Sequence, residues 1–475
     1  MKTRQQQRVF SSMESEVRGY CRRFTPVFTS ARGCILEDAG GKQYIDFLAA
    51  CGALNYGHND PDMSQALIDH ISGKGLSAGL DLFTSTKGGF LETFNRLILR
   101  PRGMDYRVQF TGPTGANAVE AALKLARKVT GRSNIVSFTN GFHGVTLGAL
   151  AATGNRFHRM GTCLPNVTRF PYEGYMGADF DTADYLDRML SDPSAGIEPP
   201  AAILLETVQG EGGLNVCTAQ WLQRIEAIAR RHGALLIIDD IQAGCGRTGT
   251  FFSFERMGVS PDLVTLSKSI SGFGLPMALL LIKPELDQWK PAEHNGTFRG
   301  NTHAFVTATV ALEKFWHGDA FSRTIAKKAR IVSDHLRQIE ALIPGSRLKG
   351  RGMMQGIDVG SEKLAAAICS LAFKKGVMVE TGGPRDEVIK IMAPLTTSES
   401  KLRQGLLRLR RAAAEAMGKP PTRLVKPEAR ETASAPVPVR EPVDSNAPSA
   451  VATDLSHLGL DFELGEARAA NFAGY

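Results

Sequence analysis

Positions 261–269 read Pro-Asp-Leu-Val-Thr-Leu-Ser-Lys-Ser, and positions 234–239 read Ala-Leu-Leu-Ile-Ile-Asp. Each is a short apolar run of the kind that forms a strand covered on both faces, and each passes into polar residues where the strand ends. Two such runs predict neighbouring parallel strands, with Asp239 closing one and Lys268 following the other. A lysine amine condenses with an aldehyde, and a buried carboxylate keeps a pyridine nitrogen protonated so that the ring draws electrons. That combination is what pyridoxal phosphate chemistry requires. Either residue alone has an ordinary structural reading, as a helix cap or a solvated charge. The weight therefore falls on what surrounds them.

Gly112-Pro113-Thr114-Gly115-Ala116-Asn117 runs directly into Ala118-Val119-Glu120-Ala121-Ala122-Leu123. Ala118, Ala121, Ala122, Leu125 and Val129 recur at helical spacing, and Gly131 is placed to stop the helix. The Thr114 hydroxyl and the free amides of Gly115 and Ala116 form an expected anion site at its start. After the strand-like Asn134–Thr139 comes Gly141-Phe142-His143-Gly144, an aromatic ring between glycines where backbone can approach a flat ligand. The run Ala201–Leu205 ends in Glu206, followed by Gln209-Gly210-Glu211-Gly212-Gly213, too flexible and charged to continue a strand.

Taken together, Thr114-Gly115, Gly141–Gly144, Glu206 with Gln209-Gly210-Glu211, Asp239-Asp240-Ile241-Gln242 with Gly246-Arg247-Thr248-Gly249, Lys268 and Gly296-Thr297 resemble the class III, or ω-type, aminotransferases over about residues 10 to 415. The resemblance implies an α/β fold of the pyridoxal-phosphate-dependent transferase fold type I. Such a fold has a mostly parallel central sheet with helices on both faces, plus a small C-terminal α+β lobe. It implies pyridoxal 5'-phosphate as cofactor, with Lys268 as the Schiff-base lysine and proton shuttle and Asp239 on the pyridine nitrogen. Phe142 would stack on the ring with His143 and Glu206 beside it, and Gln242 would bond the ring oxygen. Thr114, Gly115 and Ala116 would hold the phosphate from one subunit and Thr297 from its neighbour, hence a homodimer or higher homo-oligomer.

The activity the resemblance implies is reversible transamination. Glutamate gives its amine to the terminal carbon of aspartate 4-semialdehyde, and L-2,4-diaminobutyrate and 2-oxoglutarate leave. The product would feed ectoine synthesis, or 1,3-diaminopropane and siderophore synthesis. Another ω-amine, such as 4-aminobutyrate or a diamine, is the alternative, and a catalytically silent binding protein is a second. Glu211 is the expected substrate gate. In many relatives that glutamate pairs with an arginine, whereas here the matching position is Lys390, a point charge in place of a bidentate fork.

Bulk properties agree with a metabolic enzyme in the cytoplasm. A chain of 475 residues with 43% apolar content can bury a large core. Its seven cysteines, at 21, 34, 51, 163, 217, 245 and 369, have no paired spacing for a metal or a disulfide framework. The longest apolar run, Leu275–Ile282, is far short of the roughly 20 residues a membrane span needs. The net charge of +8 is dispersed, so no nucleic-acid partner is expected, although it suits anionic substrates.

The expected organisation has an N-terminal helix and small strand group over 1–60, the helix capped by Ser11 with Glu14. A large cofactor-binding α/β domain follows over 61–300 and a small domain over 301–417, with helices from Ala304 to Trp316, through Asp334 and Leu342, and near 399–417. A Pro-rich disordered tail is expected over 418–475, with seven prolines between 420 and 448.

Overall fold

Seven of the apolar runs pair into one sheet in the spatial order Arg107–Phe110, Leu279–Ile282, Leu263–Leu266, Leu235–Asp239, Pro200–Leu205, Asn134–Phe138 and Val167–Phe170. The computed structural model describes residues 2–160, 164 and 166–418. Leu279–Ile282 runs antiparallel to both of its neighbours. The other pairings are parallel, including the expected one between Leu235–Asp239 and Leu263–Leu266.

The inner strands Leu279–Ile282, Leu235–Asp239 and Pro200–Leu205 read as apolar runs because both faces are covered, whereas the edge strands Arg107–Phe110 and Val167–Phe170 carry charged and polar residues. Leu236 and Ile238 enter one core with Val136, Phe138, Ile203 and Leu205. Leu235 and Ile237 enter another with Ile135, Ala202 and Leu204. The helix Gly115–Thr130 covers the second face through Ala121, Ala122 and Leu125, and Gly131 ends it in the left-handed conformation at φ +69°. Ala219–Arg231 and Thr302–Phe315 cover the first face, inserting Trp221, Ile225, Ala304 and Phe305.

Beyond residue 340, Arg347–Arg351, Met354–Asp358, Val388–Ile391 and Glu380–Gly382 form a four-stranded antiparallel sheet. The helices Ala320–Glu340, Glu362–Lys374 and Glu399–Ala416 pack with it into a core that also takes in Ile45 and Phe47. The N-terminal strands Phe28–Arg32, Ile35–Asp38 and Gln43–Asp46 are extended by a parallel pairing with Val377–Met378. Residues near the start of the chain are thereby built into the C-terminal layer.

One local expectation is corrected. The first helix spans Lys2–Met13, so Ser11 lies in its last turn and is not the cap of a following helix. Its hydroxyl donates to the Arg8 carbonyl at 3.0 Å, the back-bonding expected of serine within a helix. The expectation for the Pro-rich segment lies outside the described residues, apart from Gly418.

Arg247 joins the layers. Its side chain is fully buried, and its guanidinium donates to Asn55 Oδ1 at 3.0 Å, to the Ala393 carbonyl at 2.7 Å and to the Met353 carbonyl at 3.2 Å. Burial pulls the guanidinium down to about 9, with Asp46 opposing, so it stays charged at neutral pH. Replacing it with leucine leaves three buried acceptors without their donor. We expect Arg247→Leu to lose about 3 kcal/mol of stability, read as a lower urea midpoint with an unchanged denaturant slope. An unaltered midpoint would show that these contacts do not hold the layers together.

Candidate active site

In a sheet covered on both faces, chemistry is left to the carboxyl ends of the parallel strands. Asp239 is the last residue of its strand, Glu206 follows Leu205, Lys268 lies two residues past Leu266, and Gly141–Gly144 follow Asn134–Phe138. Phe142, His143, Glu206, Asp239 and Lys268 line one cavity of about 160 Å³ with Gly115, Ala116, Gly144, Glu211, Ile241 and Gln242. A larger space of about 730 Å³, beside the N-terminal helix, is lined by Phe10, Tyr20, Phe24, Phe28 and Met378 among others. It holds none of the strand-end groups and is less suited to catalysis.

Lys268 opens a short 3₁₀ turn, Lys268–Ser271, with φ at +53°. A non-glycine residue held there is strained, and such strain persists only where neighbours over-determine it. The next residue supplies that restraint. Ser269 donates from its hydroxyl to the Gly52 carbonyl at 2.6 Å and accepts from the Asn55 amide at 3.0 Å.

Asp239 is buried, and a buried carboxylate must be paired. Oδ2 lies 2.7 Å from His143 Nδ1, while Oδ1 accepts from the Ile241 amide and the Thr265 hydroxyl, both at 3.2 Å. Burial disfavours charge on His143, but the hydrogen bond and charge of Asp239 outweigh it and raise its pKa. Glu206 accepts from the amides of Phe142 and Gly210, each at 3.0 Å. Burial, with Asp239 adding, pushes Glu206 up to about 7 against the pull of His143 and those amides.

A second cluster lies across Glu211. Lys390 is fully buried on Val388–Ile391, its ammonium 2.9 Å from Glu211 Oε1 and 2.9 Å from Glu380 Oε1. Burial works against its charge, yet the two carboxylates hold its pKa above the ordinary lysine value. Burial likewise works against ionised Glu211, but Lys390 first and Lys268 next bring it down to about 2. For Glu380 the balance is reversed, and burial pushes its carboxyl up against the pull of Lys390. Gln242 Nε2 donates to Glu211 Oε1 at 3.1 Å and to the Cys51 carbonyl at 3.1 Å.

These residues fit pyridoxal phosphate. The cavity brings together an amine, a buried carboxylate held by His143, the Phe142 ring and the start of a 16-residue helix at Gly115 and Ala116. Gly144, at φ +122°, permits the close approach, since a Cβ there would lie 2.7 Å from that of Ala116. Two buried polar atoms, His143 Nε2 and Gln242 Oε1, have no hydrogen-bond partner among the described residues.

Nine of the residues singled out in the sequence therefore share this cavity: Gly115, Ala116, Phe142, His143, Glu206, Glu211, Asp239, Gln242 and Lys268. Lys390 stands behind Glu211 and is paired with it. Thr114 is the helix cap, its hydroxyl donating to Asn117 Oδ1 at 2.8 Å and accepting from the Asn117 amide. Thr297 is exposed, beside Phe298, and is not part of the lining. Sequence reasoning missed Glu380 and Tyr20. The signal for Glu380 was its antiparallel register with Lys390, visible only once the hairpin is formed.

A model described as aminotransferase class-III matches residues 20–413. A curated relative from Vibrio parahaemolyticus, named diaminobutyrate–2-oxoglutarate transaminase, is 56% identical over 408 residues, covering 85% of this chain and 96% of its own. A relative from Sinorhizobium fredii, named as an uncharacterized aminotransferase, is 57% identical over 401 residues, covering 84% of this chain and 90% of its own. The solved ornithine aminotransferase of Toxoplasma gondii, with pyridoxal phosphate at partial occupancy in its active site, shares the fold. Its TM-score is 0.75 at 24% identity, over 86% of this chain and 94% of its own. The chain belongs to the class-III aminotransferases.

Proposed function

We propose that this chain transfers an amino group reversibly between L-2,4-diaminobutyrate and 2-oxoglutarate, releasing or consuming aspartate 4-semialdehyde and glutamate. The observation that carries the reading is the meeting of Lys268, Asp239 and the helix start at Gly115 in one cavity. The choice of substrates is supported by the relative from Vibrio parahaemolyticus and its printed name.

The cofactor is pyridoxal phosphate, which when bound supplies an aldehyde for amines and a ring that accepts the electron pair left at the amine-bearing carbon. Lys268 would hold that aldehyde, and its free amine would move one proton at the amine-bearing carbon of the substrate. Asp239 keeps the pyridine nitrogen protonated, and His143 fixes the carboxylate through its 2.7 Å contact. Phe142 forms one wall for the ring, Gln242 offers its side-chain amide, and Gly115 and Ala116 present amides to the phosphate. Glu211 and Lys390 form the substrate end, where Glu211 shields the lysine until a dicarboxylate competes for it. In this reading residues 61–300 carry the cofactor, and residues 301–417 supply Lys390.

We also assign a second copy of the chain to one exposed apolar face. Leu80, Leu82 and Phe83 are exposed, Phe83 completely, and Phe298 is 72% exposed. Asp81 and Arg299 tie the two segments together at 2.6 Å, so Thr297 lies on the same face. A partner there would cover the apolar side chains and take up Thr297 for its own phosphate site. Operation in the cytoplasm is supported by six free thiols among the described residues. No described helix is long and apolar enough to cross a membrane.

Mixing the purified protein with L-2,4-diaminobutyrate should bleach the visible absorbance of the bound cofactor, and 2-oxoglutarate should restore it. Lys268→Ala should keep the fold and abolish this cycling. Failure of diaminobutyrate to bleach, with 4-aminobutyrate doing so, would transfer the chain to a different ω-amine. For the interface, Phe83→Glu should shift the sedimenting species to the monomer mass and weaken cofactor retention. A variant that sediments as the parent does would remove this face as the interface.

A further inference from the structure

The substrate end contains more charge than the gate requires. Lys390 is in direct contact with two carboxylates, Glu211 and Glu380, each 2.9 Å from its ammonium, while Lys268, the residue assigned to the cofactor aldehyde, lies on the far side of Glu211. Glu380 stands directly opposite Lys390 in the antiparallel pairing of Glu380–Gly382 with Val388–Ile391, so the strands fix that contact. The carboxylate is 3% exposed. Its Oε2 accepts from the Tyr20 hydroxyl at 3.3 Å, and the Cys51 thiol lies 3.9 Å away. Its Oε1, although close to Lys390, is a buried acceptor without a well-aligned donor. With Lys268 engaged by the cofactor, and Glu211, Glu380 and Lys390 ionised, these three groups carry one net negative charge.

We propose that Glu380 is a specificity-determining positioning residue, which leaves the substrate end one carboxylate in excess and so favours amines that carry an ammonium beside their distal carboxylate. The inference rests on the diaminobutyrate reading above. L-2,4-Diaminobutyrate and 4-aminobutyrate present the same terminal amine on the same four-carbon chain, and differ only in the ammonium at carbon 2. A lone carboxylate entering this cluster meets net repulsion. The added ammonium cancels it, because the excess carboxylate finds a partner. Glu380 also limits what is exposed when Glu211 turns aside. A dicarboxylate then meets a lysine already half engaged, and binds less tightly than it would to an unpaired cation. Glu211 remains the movable group, and Glu380, fixed by strand register and Tyr20, sets the charge that remains.

The test uses the cofactor-loaded enzyme and two variants, Glu380→Gln and Glu380→Asp. One measures kcat/KM for diaminobutyrate and for 4-aminobutyrate with 2-oxoglutarate as acceptor, and the affinity for glutarate by calorimetry. In E380Q the preference for diaminobutyrate should fall about tenfold, mainly through KM, and glutarate should bind several-fold tighter. E380D, which retains the charge but withdraws it by one methylene, should show a smaller fall in the same direction. If E380Q does not fold, E380D carries the test alone. Folded variants that keep the parental preference and glutarate affinity would overturn the role of Glu380 while leaving the activity intact. A parent enzyme with no preference for diaminobutyrate would instead overturn the substrate reading, and this inference with it.

Discussion

The site depends on a sheet that is buried on both faces. Once helices cover Leu235 and Ile237 on one side and Leu236 and Ile238 on the other, the strand interiors favour apolar groups. Polar chemistry is displaced to the strand ends, and because these strands run parallel, their carboxyl ends gather at one edge. Asp239, Glu206 and Lys268 meet for that reason, although they are dispersed along the chain. The antiparallel strand Leu279–Ile282 does not disturb this, since it lies between Arg107–Phe110 and Leu263–Leu266 and leaves the ends of the central four aligned.

Gathering ionisable groups at a low-dielectric edge creates an electrostatic problem that is solved twice, in different ways. Around Asp239 the solution is neutral balance: His143 pairs with the carboxylate, while Glu206, pushed up to about 7, takes a proton readily. Around Lys390 the solution is an excess of anions, which holds the lysine charged in a fully buried position. A lone buried ammonium would instead lose its proton. The use of lysine in place of a bidentate guanidinium is consistent with this setting, because three separate donors can serve two carboxylates, one in a turn and one on a strand.

Much of this was legible in the sequence, for physical reasons. Buried parallel strands announce themselves as apolar runs, and the residues singled out just beyond them do come together at the strand ends around one cavity. The helix from Gly115 to Thr130 and its stop at Gly131 followed from periodicity and a glycine that can take positive φ. The family resemblance carried by these motifs is borne out by the match over residues 20–413. Less was legible where a contact depends on strand register or on a loop's path. Glu380 lies ten positions before Lys390, and only the hairpin that puts them opposite gives that spacing a meaning. Ser11 misled because serine is equally at home as a cap and as a back-bonding residue in a last turn. Arg247 belonged to a recognised motif, but its role as a buried tie between layers needs the carbonyls of Met353 and Ala393, more than a hundred residues away.

The path of the chain from 46 to 58 shows how the N-terminal strands become part of the site. Ala49, Ala50 and Cys51 have φ of +47°, +47° and +56°, and Gly52 has +85°, a left-handed run that L-residues avoid at roughly 1–2 kcal/mol each. The strain is held from both ends. Asp46 Oδ1 accepts from the amides of Leu48 and Ala49 at 2.8 and 2.9 Å, and its Oδ2 lies 2.8 Å from His58 Nε2. At the far side the Cys51 carbonyl is taken by Gln242 and the Gly52 carbonyl by Ser269. Just before the turn, the Phe47 carbonyl accepts from the Met392 amide at 2.8 Å, which ties it to the residue after the strand Val388–Ile391. The strained turn thus ties together the Lys268 arm, the Gln242 side chain and the Lys390 strand. A left-handed turn of this kind has few alternative conformations of similar energy, so these contacts share one rigid anchor.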